Sequence, residues 1–256
     1  MHNIYMLVSI IIPYYKKQKF IKKTIHSVLN QTFHNFEIII VNDEPGKISE
    51  KILMDLKRKD KRIKIITNHK NIGAGLSRNK AIKISKGKYI AFLDSDDLWK
   101  KNKLRSQINI MKKFNYDITH SAYCIINENN KKLAIRKSRN LNYNDLIKSC
   151  DIGLSTVMIK KNLLRNDKLF SNFSTKEDYY LWLKLSKSGY IFYYINQPLS
   201  YWRKTKDSLS SSTFQKIIDS FKLYNHFEKN LFISFFRTII LSFNFLIKKK
   251  DDSRYI

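Results

Sequence analysis

Apolar residues along the chain gather first in short unbroken runs and then in helical stripes. Residues 7–12 (LVSIII) form a nearly continuous β-branched run, the pattern of a strand buried on both faces of a parallel sheet. Residues 20–31 follow with Ile21, Ile25, Val28 and Leu29 at helical spacing, and residues 36–41 (FEIIIV) give a second buried strand. Residues 48–58 place Ile48, Ile52, Leu53 and Leu56 on one helical face; 63–66 is a short third strand, 75–85 a helix and 89–93 a fourth strand. This alternation predicts an α/β fold with a doubly wound, mostly parallel sheet and helices on both faces. Such sheets take ligands beyond the carboxyl ends of their strands, so the residues that follow each strand are the ones to inspect.

The pattern loosens after about residue 115. Residues 100–114 read as a helix, 117–127 as a strand, 127–142 as a polar loop or exposed hairpin, 154–159 as a strand, 177–188 as a helix and 190–195 as an aromatic strand. Residues 205–212 are polar, and 214–250 are helical and rich in Phe. The expected organisation is one half over 1–116, a second half over 117–212 joined to the same sheet, and a basic helical tail over 213–256.

Composition narrows the picture. Hydrophobic residues make up 43% of 256 positions, which excludes a disordered chain, and Gly (6) and Pro (3) are scarce. Cys124 and Cys150 cannot form a disulfide framework and read as free buried thiols in a reducing compartment. The formal charge of +28 asks for an anionic partner: nucleic acid, anionic lipid or a phosphorylated substrate. The lysines are dispersed, with no zinc-finger spacing and no aromatic RNA-binding signature, so nucleic acid is not expected. An AT-rich coding genome produces the same Lys, Asn and Ile bias. The opening apolar run is short, ends at Pro13 and lacks a cleavage site, so no secretory signal is expected. No run reaches the length of a membrane span; the nearest, residues 231–247, carries Arg237 in its middle.

The candidate chemistry lies after the strands. Asp94-Ser95-Asp96-Asp97 directly follows the fourth strand, and on an extended segment Asp94 and Asp96 point the same way. A hard divalent cation takes such oxygens; a polar turn with Asp97 as a helix cap is the other reading. Asp43 ends the second strand, where an acid can hold a ribose or base, or simply belong to a loop. No G-x-G-x-x-G or P-loop is present, which disfavours dinucleotide and P-loop chemistry. Ser174 and Glu177 have the spacing of a capping box, which accounts for Glu177 but not for Asp178. His69 and His120 have no metal-site pattern and read as structural or exposed.

Taken in order, VSIIIPYY, SVLNQTFHNFEIIIVND, NIGAGLSRNKAI and GKYIAFLDSDD, then EDYYLWLKL and LSYWRKTKDSLSS, resemble the inverting family 2 glycosyltransferases of GT-A fold over roughly residues 7–212. The resemblance implies a UDP-sugar donor, with Mn²⁺ or Mg²⁺ as cofactor. It implies that Pro13 and Tyr15 line the nucleotide pocket, Asp43 holds uracil, and Asn71, Gly73 and Arg78 pack on the nucleotide. Asp94, Ser95 and Asp96 match the D-x-D motif for ribose and metal-bound diphosphate, with Asp96 the direct metal ligand and Asp94 the second; Asp97 binds donor sugar or metal. Asp178 matches the catalytic base, Glu177 and Trp182 a donor-sugar or acceptor site, with Trp182 equally a core residue. Arg203 and Lys204 match a loop that closes over the diphosphate. The chain departs from the family at Asn42-Asp43-Glu44-Pro45, where Asp-Asp-Gly-Ser is usual, and at Thr205, where His is frequent.

Glycosyl transfer needs this set. The leaving diphosphate gains negative charge, which a cation and basic side chains stabilise. The acceptor hydroxyl needs a carboxylate to take its proton, and one base opposite the leaving group gives inversion. The implied acceptor is a cell-surface glycan (lipopolysaccharide, lipooligosaccharide or capsule) or a lipid-linked one. The implied location is cytoplasmic, peripheral on the inner face of the membrane, with the Phe- and Lys-rich tail either on an anionic membrane surface or completing the core. Two alternatives stay open: nucleotidyl transfer, and a non-catalytic basic protein that binds membrane or nucleic acid on a degenerate transferase fold.

Overall fold

The computed structural model describes residues 7–165, 169–205 and 213–252. β1 (Val8–Tyr14), β2 (Phe36–Asn42), β3 (Ile63–Thr67) and β4 (Tyr89–Phe92) form a parallel set in the order β3-β2-β1-β4. β1, β2 and β4 are buried along their whole length, which is why their sequences are apolar without alternation. α1 (Gln18–Leu29), α2 (Lys47–Lys59) and α3 (Ala74–Ile84) link them. Successive strand residues feed opposite cores. Ile10 and Ile12 pack with Ile21, Ile25 and Leu53 of α1 and α2, and Ile11 packs with Ala81 and Ile82 of α3.

The sheet continues past β4 without a break. β5 (Leu98–Trp99) and α4 (Lys103–Lys113) lead into β6 (Ile118–Ile126), which pairs with the short β7 (Lys132–Arg136) as a hairpin. β8 (Met158–Lys160) runs antiparallel between β4 and β6, and β9 (Phe192–Arg203) runs parallel to β6 and pairs with β5. α5 (Tyr143–Leu146) and α6 (Glu177–Lys187) precede β9; α7 (Thr213–Glu228) and α8 (Leu231–Asp252) follow it. The strand order reverses between β1 and β4, which opens a crevice at the carboxyl ends of those two strands.

Several elements differ from the pattern-based expectation. Residues 154–156 are a 3₁₀ turn rather than strand, because the amides of Thr156 and Val157 donate to the carbonyls of Gly153 and Leu154. That turn presents the Ser155 carbonyl to Trp99 Nε1 and Ser200 Oγ. The aromatic strand runs on to Arg203, and a register shift opposite Ser121 and Ala122 accommodates Pro198. The tail is two helices, broken at Lys229 in the left-handed region (φ 52°). Both cysteines are free, but only Cys124 is buried; Cys150 is half-buried. His120 is buried, bonds the Arg139 carbonyl and is pushed down to about 4 by burial, so it is neutral; His69 is exposed. Of the polar stretch 205–212, residues 206–212 lie outside the described residues.

Candidate active site

The chain leaves β4 into a turn closed by the Asp97 amide donating to the Asp94 carbonyl, 3.1 Å. Thr24 of α1 clamps this turn, its Oγ1 donating to the Ser95 and Asp97 carbonyls at 3.0 and 2.9 Å. The Asp94 amide donates to Ser155 Oγ. The acidic run is therefore held at the crevice by α1 and by the 154–156 turn.

Arg78 of α3 joins the two halves of the site. It is 3% exposed; one guanidinium nitrogen donates to Asp94 Oδ1 at 2.7 Å and another to Glu177 Oε1 at 2.8 Å. Burial works against its charge, yet Asp94 and Glu177 hold its pKa above the ordinary arginine value. The approach of α3 to α6 requires Gly75, where a Cβ would sit 2.4 Å from the Ser171 carbonyl oxygen and 3.0 Å from Glu177 Cβ.

The expected capping box at Ser174 is corrected. α6 starts after Lys176, which is left-handed (φ 69°) and gives no side-chain cap, and Glu177 turns to Arg78 instead. The loop before it is fixed from the tail, since the Thr175 amide and hydroxyl both donate to Asp219 Oδ2 of α7 at 2.8 and 2.9 Å. Asp178 accepts from the Tyr179 amide at 2.7 Å. Burial raises Glu177 to about 7 against the pull of Arg78, and burial also raises Asp178, again opposed by Arg78. A carboxylate whose proton affinity is raised is better suited to take a proton from a hydroxyl.

Lys17, which the sequence did not single out, faces Asp96. Its Nζ lies 2.8 Å from Asp96 Oδ2 and 3.5 Å from Thr205 Oγ1. Burial raises the Asp96 carboxyl, Lys17 lowers it and Asp94 adds to the rise. The only sequence signal was a lysine just past β1.

Asp97 and Arg203 are built into the framework. Both Asp97 oxygens are taken, by Ser155 Oγ at 2.6 Å and the Arg203 amide at 2.8 Å, and burial beside Asp96 and Asp94 pushes its carboxyl well up. Arg203 Nε donates to the Asp96 carbonyl, and Nη1 to the Asn127 carbonyl and Asn130 Oδ1. Its Nη2 has no partner among the described residues. The Lys204 amide pairs with the Ile126 carbonyl. Trp182 is corrected from a possible acceptor residue to the core: it is fully buried, with its ring against Phe92, Phe170 and Phe192.

At the end of β2, Asp43 is buried and accepts from Asn68 Nδ2 and the amides of Ile72 and Gly73 at 2.8–2.9 Å. Gly73 needs its freedom, since its φ is +89°. Asn71 Nδ2 reaches the Asp43 carbonyl at 3.4 Å. The unusual Glu44 accepts from the Lys16 amide and Gln18 Nε2, tying the loop after β1 to the loop after β2. Pro13 is buried in β1 opposite Val41, and Tyr15 is exposed at the rim.

Among the described residues, no group of three or more His, Cys, Asp or Glu is placed to hold a metal. The donor set is two carboxylates, Asp94 and Asp96, each now neutralised by a cation. Hard oxygen donors in that number suit Mg²⁺ or Mn²⁺ that completes its shell from phosphate and water.

This sheet, reversing at β1 and β4 with carboxylates at the crevice, defines a chain of the GT-A class. A crystal structure of S. aureus TarS 1-349 in complex with UDP-GlcNAc has the same fold, with a TM-score of 0.70 at 21% identity over 85% of this chain and 64% of that one. The chain belongs to glycosyl transferase family 2, whose model matches residues 9–173. It is 34% identical over 225 residues to a Bacillus subtilis (strain 168) protein named putative teichuronic acid biosynthesis glycosyltransferase TuaG (87% of this chain, 89% of that protein). It is 38% identical over 226 residues to Escherichia coli WfgD, named UDP-Glc:alpha-D-GlcNAc-diphosphoundecaprenol beta-1,3-glucosyltransferase (88% and 87%).

Proposed function

We propose that the chain is a metal-dependent inverting glycosyltransferase. It moves a hexose or N-acetylhexosamine from a UDP-sugar to a hydroxyl of a cell-surface glycan acceptor carried on a lipid diphosphate. It works at the inner face of the cytoplasmic membrane, on an anionic lipid surface. The observation that carries this reading is Arg78, which ties the donor-side Asp94 to Glu177, the residue next to Asp178. The donor and acceptor choices are supported by the E. coli relative, whose name specifies UDP-Glc, a diphosphoundecaprenol carrier and a β linkage. They are also supported by the UDP-GlcNAc of the TarS crystal structure.

In this reading Asp43 and Asn71 hold the nucleoside, with Tyr15 at the rim. Asp96 and Asp94 hold Mn²⁺ or Mg²⁺, which supplies Lewis-acid stabilisation of the leaving diphosphate. Lys17 and Lys204 add positive charge at the same place. Asp178 accepts the acceptor hydroxyl's proton as the oxygen attacks the anomeric carbon opposite the departing UDP. Glu177 and Arg78 position α6 so that Asp178 faces the donor. Arg203 and Asp97 keep the acidic turn rigid. A separate base at Asp178 favours this over nucleotidyl transfer.

The test supplies a lipid-diphosphate GlcNAc acceptor and a panel of UDP-sugars, and reads the new linkage by NMR. A β-linked product from an α-linked donor is expected. An α-linked product, or a nucleotidylated one, refutes the reading.

A further inference from the structure

α8 packs on the body with its polar side inward. The positions it buries are Ser234, Thr238 and Leu241. The hydroxyls of Ser234, Thr238 and Ser242 are satisfied by carbonyls one turn back in the chain. Its large apolar residues face out. Phe232 (78% exposed), Phe236 (61%) and Phe243 (62%) lie with Ile239 at the i, i+4, i+7, i+11 spacing of a single row. Phe235, Ile240 and Ile247 widen it. At about 100° per residue, these positions with the exposed Leu231 and Ile233 at the two edges cover an arc of about 200° over a length of about 25 Å.

Charge is arranged around this face rather than on it. Residues 231–247 contain no Asp or Glu. The one cation among them, Arg237, is held by Glu228 at 2.6 Å. Lys229 precedes the helix, and the sequence runs on into Lys248-Lys249-Lys250. No helix among the described residues is long and apolar enough to cross a membrane. A second protein helix covers a narrow stripe, whereas a lipid interface wets a helix across half its circumference. Lys229 before the helix, the Lys248-Lys249-Lys250 run, which outnumbers the Asp251-Asp252 pair that follows it, and a chain charge of +28 complement acidic headgroups.

We propose that the outward face of α8 is a docking surface for an anionic phospholipid leaflet, with the helix lying in the plane of the interface and the Phe232–Phe236–Phe243 row sunk among the acyl chains. This deepens the peripheral location proposed above and names the surface responsible. Because Asp219 of α7 anchors the loop before Glu177, the docked tail sits one connection away from the acceptor side of the site.

The experiment is co-sedimentation of the full chain with phosphatidylcholine vesicles, with and without phosphatidylglycerol, alongside a Phe232→Ser/Phe236→Ser/Phe243→Ser variant. All three side chains are exposed, so the variant keeps its fold, which circular dichroism checks. Wild type is expected to bind the anionic vesicles, and the variant to lose on the order of tenfold in partition per side chain replaced. Equal binding by the variant overturns the proposal and leaves the dispersed lysines as the cause. A wild-type dimer that the variant converts to monomer also overturns it, in favour of a second copy as occupant. UDP release from soluble donor, read in parallel, separates the two claims: Phe-dependent vesicle binding without UDP release keeps the docking surface and removes the transfer reading.

Discussion

Replacing Glu177 by Gln should flatten the dependence of stability on pH. Glu177 stands at about 7 in the folded protein against an ordinary 4.5. Burial is the main cause, and Arg78 at 2.8 Å opposes it. The folded state therefore holds a proton that the unfolded chain releases. For an acid raised in this way, the stabilisation is complete below pH 4.5 and is lost as pH rises through 7. The displacement corresponds to about 3 kcal/mol at roughly 1.4 kcal/mol per pH unit. Gln is the uncharged isostere and keeps an oxygen for Arg78. Urea unfolding of both proteins from pH 5 to pH 8 reads the effect, because Asp96 and Asp97 titrate in both and cancel in the difference, while Asp178, whose charge helps to raise Glu177, shifts with it. Wild type should lose about 2–3 kcal/mol more than the variant across that range, most of the full displacement. Parallel profiles would show that Glu177 is not held protonated by its surroundings, and would refute the reasoning that burial outweighs the pull of Arg78.

Asp178→Asn should lower transfer by about 10²–10⁴-fold with donor binding unchanged, because only the proton acceptor is lost; steady-state rates with isothermal titration of UDP check both parts. In the wild type, the acid limb of transfer should lie above the ordinary carboxylate range, since Asp178 is raised by burial and must be ionised to act. Lys17→Met should tighten Mn²⁺ binding to the nucleotide-free protein by about tenfold, because a cation competing for Asp96 is removed; paramagnetic titration reads this without turnover. Gly75→Ala should cost about 1–3 kcal/mol in thermal unfolding, since the new methyl meets the Ser171 carbonyl, a backbone atom that cannot swing away.

The parallel half of the fold was legible because β1, β2 and β4 are buried on both faces and so read as apolar runs with helical stripes between them. The second half was harder. β5 is two residues long, and β9 takes in Pro198 through a register shift, so neither has a clean period. The acidic run after β4 stood out against a basic chain, and the ordered motifs resembled one family. What the sequence hid was pairing. Nothing in the spacing joins Arg78 to Glu177 across 99 positions, or Thr175 to Asp219, because those contacts form only when α3, α6 and α7 pack. Glu177 met a local rule for helix capping, and a tertiary ion pair overrode it. Trp182 had two readings until Phe92, Phe170 and Phe192 enclosed it. In α8 the Phe-rich pattern was visible, but the burial of its Ser and Thr side was not.

In the proposed reaction, donor chemistry runs through Asp96 and Asp178. Its most direct test is UDP release from a panel of UDP-sugars with Mn²⁺, Mg²⁺ or EDTA, by wild type, Asp96→Ala and Asp178→Asn. One donor is expected to be consumed, with EDTA stopping the reaction and both variants inactive. Undiminished release by either variant, or a wild type that does not bind UDP in the presence of Mn²⁺, would contradict it.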